Sequence, residues 1–353
     1  MRSLISCVLV TMSLSACAGV PKDMSKFQEL QTFEHGVVFP ASRSLTHAED
    51  GVALADGRLL VGDWKHGLVT ISETGEIRPF GDFTAAGFKT KPAPNWGSPN
   101  GISFEPDNRH VLVADITTGA IYRVDTRTET TSRLYDHPYG VNSVVRDSTG
   151  AVWFTQSTEN PEGETSEARM FAAVEGMGDG AVFRISPDEI GTENPVAKPM
   201  ATGLDFANGI ALDERRGQIY VNEIAANRVL NFPVNFESGT IGDKTVLANI
   251  VSPDNAEMDE SGLLWVTSPF GNEVIVINPD TGQMKTVFQP TPEVSAKVKA
   301  EVLRRVETDE PILPLLTPEV WGSMPGLLTG VILIPDNGPI YVTGLGDALV
   351  RLQ

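Results

Sequence analysis

Oxygen-bearing side chains recur at one kind of place in this chain, at the start of a short apolar run. They are Glu49-Asp50, Asn100, Asn142, Asn208, Asp254-Asn255 and Thr329. A strand opening there would favour Val or Ile, so repeated Asp and Asn need a reason. Carboxylate and amide oxygens suit Ca²⁺, which takes about 6–8 oxygen ligands, whereas zinc would draw imidazole or thiolate. Glu49 and Asp254 could neutralise a dication, and Asn142 and Asn208 could add neutral oxygens. Water or substrate would complete the shell. The competing reading is that Asn-Gly and Asp-Asn simply make turns; recurrence at equivalent positions favours the site. The nearest imidazoles, His47 and His137, stand off the repeated position, but each precedes a proposed ligand. Both are therefore candidates for a general base.

The elements that must position these residues form a repeat. Each unit has a polar residue, an apolar run, a turn and a second apolar run. Pro99-Asn100-Gly101-Ile102-Ser103-Phe104, a turn at Pro106-Asp107-Asn108 and Val111-Leu112-Val113-Ala114-Asp115 show the layout. Similar units begin at Glu49, Val141, Ala207, Asp254 and Thr329. Asp-Gly, Asn-Gly and Ser-Gly turns supply the positive φ of tight hairpins. Third strands follow, as in Gly119–Val124 and Glu273–Ile277. The turn positions 57, 108, 150, 217, 262 and 338 are spaced for blades of roughly 40–50 residues, two of them carrying insertions. Six units predict an all-β, six-bladed β-propeller with helical and loop insertions; a pair of β-sandwiches is the less favoured architecture. Residues 36–42 are expected to close the ring against the last blade. Innermost strands line the channel of a propeller, so the repeated oxygens should meet at its axis.

Two insertions stand out. Residues 157–180 hold Met170, Phe171, Val174 and Met177. Residues 291–325 hold Val294, Val298, Val302 and Val306, one valine every four residues among charges, which predicts an amphipathic helix. Such a helix could pack outside the propeller or wall the mouth of the site. With Trp321 and Met324, these insertions suggest a partly apolar mouth for a small-molecule substrate.

Arg2 and the apolar run Leu4–Val10 read as a secretory signal, too short to span a bilayer. Leu14-Ser15-Ala16-Cys17 resembles a bacterial lipobox, which implies cleavage before Cys17 and a lipid on its sulfur. Ala18 rather than Asp then suggests the outer membrane, with the propeller facing the periplasm. Residues 1–16 are read as the signal, 17–33 as a tether and 34–353 as the propeller. The two cysteines, Cys7 and Cys17, leave the mature chain no disulfide. Net charge −19 would repel phosphate backbones, so nucleic acid is excluded as a partner class. A monomer is expected.

Four stretches carry a family resemblance: Glu49-Asp50-Gly51, Val141-Asn142, Gly203–Ile210 and Pro253-Asp254-Asn255. They resemble the metal-site motifs of calcium-dependent six-bladed propeller hydrolases, the gluconolactonase/regucalcin and luciferin-regenerating-enzyme group, with paraoxonase- and strictosidine-synthase-like features. The resemblance implies Glu49, Asn142, Asn208 and Asp254 as Ca²⁺ ligands, Asn100 as a substrate-facing residue, and Asp50 and Asn255 as further residues around substrate and metal. It also implies Asp254 as a base. Paraoxonases carry a catalytic His in the segment matching Ser98–Ile102, where this chain has Asn100. The expected activity is metal-assisted hydrolysis of a lactone or ester around one divalent ion, a second being possible deeper in the channel. A lyase or condensing enzyme on the same scaffold, or a lipid-anchored binding propeller with structural calcium, are the alternatives.

Overall fold

Strands in this chain are apolar on both faces because both faces are covered. In a computed structural model, described over residues 24–27, 29–159, 178–336 and 338–352, Val111 and Val113 pack toward one neighbouring sheet while Leu112 and Ala114 pack toward the other. Alternation with a period of two thus feeds two cores at once. The strands form six antiparallel sheets, and six hydrophobic clusters each fill the gap between successive sheets. The chain is a six-bladed β-propeller.

The blades follow the sequence repeat. Blade 1 opens with Gly51–Ala53 and Leu59–Asp63, blade 2 with Pro99–Phe104 and His110–Asp115, and blade 3 with Val141–Arg146 and Val152–Gln156. Blade 4 opens with Ala207–Asp213 and Gln218–Glu223, blade 5 with Ala256–Met258 and Leu264–Ser268, and blade 6 with Leu328–Leu333 and Ile340–Gly344. Gly36–Phe39 pairs antiparallel with Leu349–Leu352 and supplies the outer strand of blade 6. The first and last parts of the chain therefore share one sheet, as expected for residues 36–42.

Turn chemistry matches the expectation. Gly57, Asn108, Gly150, Gly217 and Gly262 have positive φ, and in blade 6 Asp336 takes that role. Two turns add a side-chain clasp: Asp147 Oδ2 accepts from Trp153 Nε1 at 2.7 Å, and Asp259 Oδ2 accepts from Trp265 Nε1 at 3.0 Å. Each clasp satisfies an indole N–H within an interblade core.

The second insertion contains helix α1 (Pro292–Glu307) and the short helix α2 (Pro318–Trp321). The valine stripe is only partly buried: Val302 is fully enclosed and Val306 is exposed. A step of four residues turns a helix 40° past a full circle, so Val306 lies 120° from Val294 and leaves the buried face. Met324 and Trp321 join the core between blades 5 and 6 instead of lining a mouth. The segment expected to be a free tether is also docked from Met24 onward. Met24 is buried in that same core, and Phe27 meets Trp265 edge-on at 5.4 Å. Residues 160–177, with Met170, Phe171, Val174 and Met177, lie outside the described residues, as do the signal and Cys17.

Candidate metal centre at the channel mouth

The start of each inner strand lies beside the end of the second strand of its own blade, and all six starts lie at one end of the propeller. The repeated residues gather there, linked blade to blade. Asn100 Nδ2 donates to Asn142 Oδ1 at 3.1 Å and to the Asn142 carbonyl at 3.2 Å. Asn142 Nδ2 donates to Ser157 Oγ at 3.0 Å, whose hydroxyl donates to the Ala207 carbonyl at 2.9 Å. The Asn208 side chain hydrogen-bonds the Asp254 carboxylate. Asn255 Nδ2 donates to Glu49 Oε1 at 3.0 Å. Asp50 Oδ2 accepts from the Ile102 N–H at 2.8 Å. Glu49, Asn142, Asn208 and Asp254 are all buried, as are Asn100 and Asn255.

Two sequence features build this ring. In blades 2 and 4 the ring asparagine is followed by glycine, Gly101 and Gly209, inside a strand and not at a turn. A Cβ on Gly101 would stand 2.6 Å from Ser143 Cα, and one on Gly209 would stand 2.5 Å from the Asp254 carbonyl oxygen. These glycines let neighbouring inner strands touch; the turn reading of Asn-Gly does not hold here.

The second feature went unread in the sequence. The next-to-last residue of the second strand is Thr155, Asn222, Thr267 or Thr343 in blades 3, 4, 5 and 6. Each of these side chains donates to the backbone carbonyl of the ring residue in the next blade. Thr155 Oγ1 reaches the Asn208 carbonyl at 2.6 Å, Asn222 Nδ2 the Asp254 carbonyl at 2.6 Å and Thr343 Oγ1 the Glu49 carbonyl at 2.7 Å. Thr267 Oγ1 donates to the Thr329 carbonyl. The signal was visible as Phe154-Thr155, Val221-Asn222, Val266-Thr267 and Val342-Thr343 near the ends of these second runs, but partners across blades cannot be read from spacing.

The ring fits a hard cation. Glu49 Oε2, Asn208 Oδ1 and Asn255 Oδ1 are buried oxygens without a hydrogen-bond partner, a costly state unless a cation or donor meets them. Burial, Asp254 and Asp50 together hold the Glu49 carboxyl well above the usual carboxylate range, against the Asn255 hydrogen bond. Burial pushes Asp254 up to about 8, offset in part by Asn208, and Asp50 up to about 7, offset in part by the backbone N–H groups of Ile102 and Gly51. Three carboxylates crowded in a buried space ask for positive charge. Below the ring a cavity of about 390 Å³, lined by Asp50, Ile102, Ser143, Ile210 and Glu257 among others, runs toward the far end of the channel.

The two histidines are engaged elsewhere. His47 stacks on Trp64 with centroids 4.4 Å apart. Its Nε2 meets Ser98 Oγ at 3.1 Å, and Trp64 Nε1 donates to that same Oγ at 2.9 Å. With the indole N–H donating, the serine hydroxyl is free to donate to His47 Nε2 and occupy the lone pair a base would use. Burial, helped by Lys91, lowers His47 to about 3, so the ring is neutral. His137 is buried among Phe154, Phe183 and Tyr135, with Nε2 2.8 Å from Gln156 Oε1 and its pKa lowered by that burial. Neither ring shares a hydrogen bond with the ring carboxylates, so the structure does not support the expected role of either as the base.

A separate acidic group, Glu105, Asp107 and His110, lies at the far end. Arg123 and Arg146 hold Glu105, and His110 holds Asp107.

Residues 132–298 match the family model described as the SMP-30/gluconolactonase/LRE-like region. Among solved structures, this propeller is similar to a gluconolactonase from Xanthomonas campestris, at 18% identity and TM-score 0.60, covering 88% of this chain and 86% of that one. It is similar to a luciferin-regenerating enzyme at 14% identity and TM-score 0.57, covering 90% and 95%. A calcium-binding regucalcin from Agrobacterium tumefaciens superposes at 13% identity and TM-score 0.56, covering 88% and 90%. At these identities the likeness is one of fold. No curated protein sequence matches the chain.

Proposed function

We propose that this propeller is a lactone- or ester-hydrolysing enzyme whose site is the oxygen ring at the channel mouth, built around one Ca²⁺ ion. The observation that carries the reading is the set of unpartnered buried oxygens on Glu49, Asn208 and Asn255 beside the Asp254 carboxylate. Glu49, Asn142, Asn208 and Asp254 would hold the ion, with Asn255 and Asp50 around them. A cation bound there would polarise a carbonyl and stabilise the developing oxyanion. Asp254 would take a proton from attacking water, and its hydrogen bond from Asn208 supports that role. Asn100 stands beside Asn142 to orient the ligand set and face substrate. The apolar mouth expected from Trp321 and Met324 has no support, since both belong to an interblade core; the substrate class is therefore a small lactone or ester without stated bulk. The gluconolactonase-like region and the calcium-binding regucalcin among the structural relatives support this reading. So does the lipobox for the proposed location: a chain anchored at Cys17 to the outer membrane, acting in the periplasm.

The test is metal analysis of purified protein followed by turnover on a panel of lactones and aryl esters, with and without chelator. Calcium at one equivalent and activity lost on chelation and regained with Ca²⁺ are expected. Calcium-dependent thermal stabilisation without turnover of any lactone or ester would instead support a binding propeller.

A further inference from the structure

The docked N-terminal segment fixes from which end the chain reaches the propeller. Gln31 forms a parallel bridge with Phe288, at the end of the outer strand Gln283–Phe288 of blade 5. Its N–H donates to the Val287 carbonyl at 2.9 Å, and its carbonyl accepts from the Gln289 N–H at 2.9 Å. That strand runs toward the mouth end, because Phe288 sits opposite Val274, next to Glu273 and the end of the second strand at Ser268. The residues before Gln31 therefore come from the far end. There Lys26 Nζ lies 4.0 Å from Asp259 Oδ2, in the turn joining the first two strands of blade 5, and Phe27 packs on Trp265. Met24 is buried in the adjoining core. The chain reaches the propeller at the end opposite the oxygen ring.

Only residues 18–23 separate Cys17 from Met24. A fully extended segment of that length reaches about 25 Å, against about 60 Å if the chain were free to residue 33. We infer that the far end of the propeller, around the Asp259–Gly262 turn, is a bilayer-facing surface, and that the mouth of the oxygen ring points away from the membrane toward soluble substrates. This rests on the anchoring of Cys17 proposed above. It adds an orientation that neither anchoring nor hydrolysis requires.

The experiment uses the full lipidated protein in vesicles carrying headgroup-quencher lipids. Fluorophores are attached through Glu260→Cys at the far end or Glu293→Cys at the start of α1, both exposed positions. Helix α1 stands at the mouth end, since Lys299 Nζ bonds Glu273 Oε1 at 2.9 Å and Asn272 Nδ2 bonds Thr291 Oγ1 at 2.9 Å. The label at 260 should be quenched several-fold more than the label at 293. The double variant Met24→Ala, Phe27→Ala should stay on the vesicles while that difference shrinks. Equal quenching at both positions, or stronger quenching at 293, in protein that still floats with vesicles overturns the orientation alone. If Cys17→Ser floats as well as the unaltered protein, anchoring at Cys17 fails, and the orientation argument fails with it.

Discussion

Glu49, Asp50 and Asp254 put three carboxyl groups into one buried place, and the consequence is a pH dependence with a definite sign. Each group has a folded pKa above its unfolded value, by burial first and then by its neighbours or against its hydrogen bonds. Between the two pKa values the folded state holds more protons than the unfolded chain, so stability falls as pH rises. In chelated protein the melting temperature should decline from about pH 4 to about pH 8, the value to which Asp254 is pushed. Saturating Ca²⁺ should remove most of that decline, because the cation replaces the protons. A chelated melting curve that rises over this window would contradict the charge crowding. For individual side chains, Asp254→Asn should abolish turnover and weaken calcium binding. Asn100→Ala, which removes a partner of a ligand and not a ligand, should cost about 10–100-fold in metal affinity. Calcium titration by calorimetry checks both. His47 should show no ring protonation by NMR until well below pH 6, since burial lowers it to about 3.

At the scale of the strand, the ring depends on how closely inner strands approach one another and on what holds their carbonyls. Gly209→Ala would drive a Cβ to 2.5 Å from the Asp254 carbonyl oxygen and the Ala256 nitrogen. Backbone cannot step aside as a side-chain tip can, so a loss of about 1–3 kcal/mol or more is expected from overpacking. Because those atoms flank the proposed ligand Asp254, calcium affinity should fall along with the denaturation midpoint. Thr343→Val keeps the shape of its side chain and removes the 2.7 Å bond to the Glu49 carbonyl; Thr329 Oγ1 still donates there at 2.8 Å. That variant should lose about 1 kcal/mol, read by denaturant titration, while metal affinity changes little. The turn glycines and helix α1 were legible because their signals are local. The docked Met24–Phe27 segment was not, because its partners, Trp265 and Asp259, are more than two hundred residues away in the chain.

For the whole molecule, closure is the feature with the largest leverage. Gly36–Phe39 completes blade 6, and its removal would expose the edge of Leu349–Leu352 and open the apolar seams beside Gly36 and Phe39. An unpaired edge recruits other chains. Protein lacking residues up to Phe39 should melt well below the intact protein and elute as soluble aggregate on size exclusion. A monodisperse truncated protein with an unchanged melting temperature would show that the ring does not need this strand.

The sequence by itself determined the blade count, the class of every repeated strand and which polar residues stood at equivalent positions, because hairpin periodicity and turn chemistry act over a few residues. It also carried the oxygen-rich, sulfur-free character of the site, because that depends on residue type alone. Only the tertiary structure decided which of those oxygens lack a partner, that His47 is tied to Ser98, that Trp321 and Met324 serve a core, and from which end the tether reaches the propeller. Each of these is set by contacts between groups distant in the chain, where burial and neighbouring charge arise only once the ring has closed.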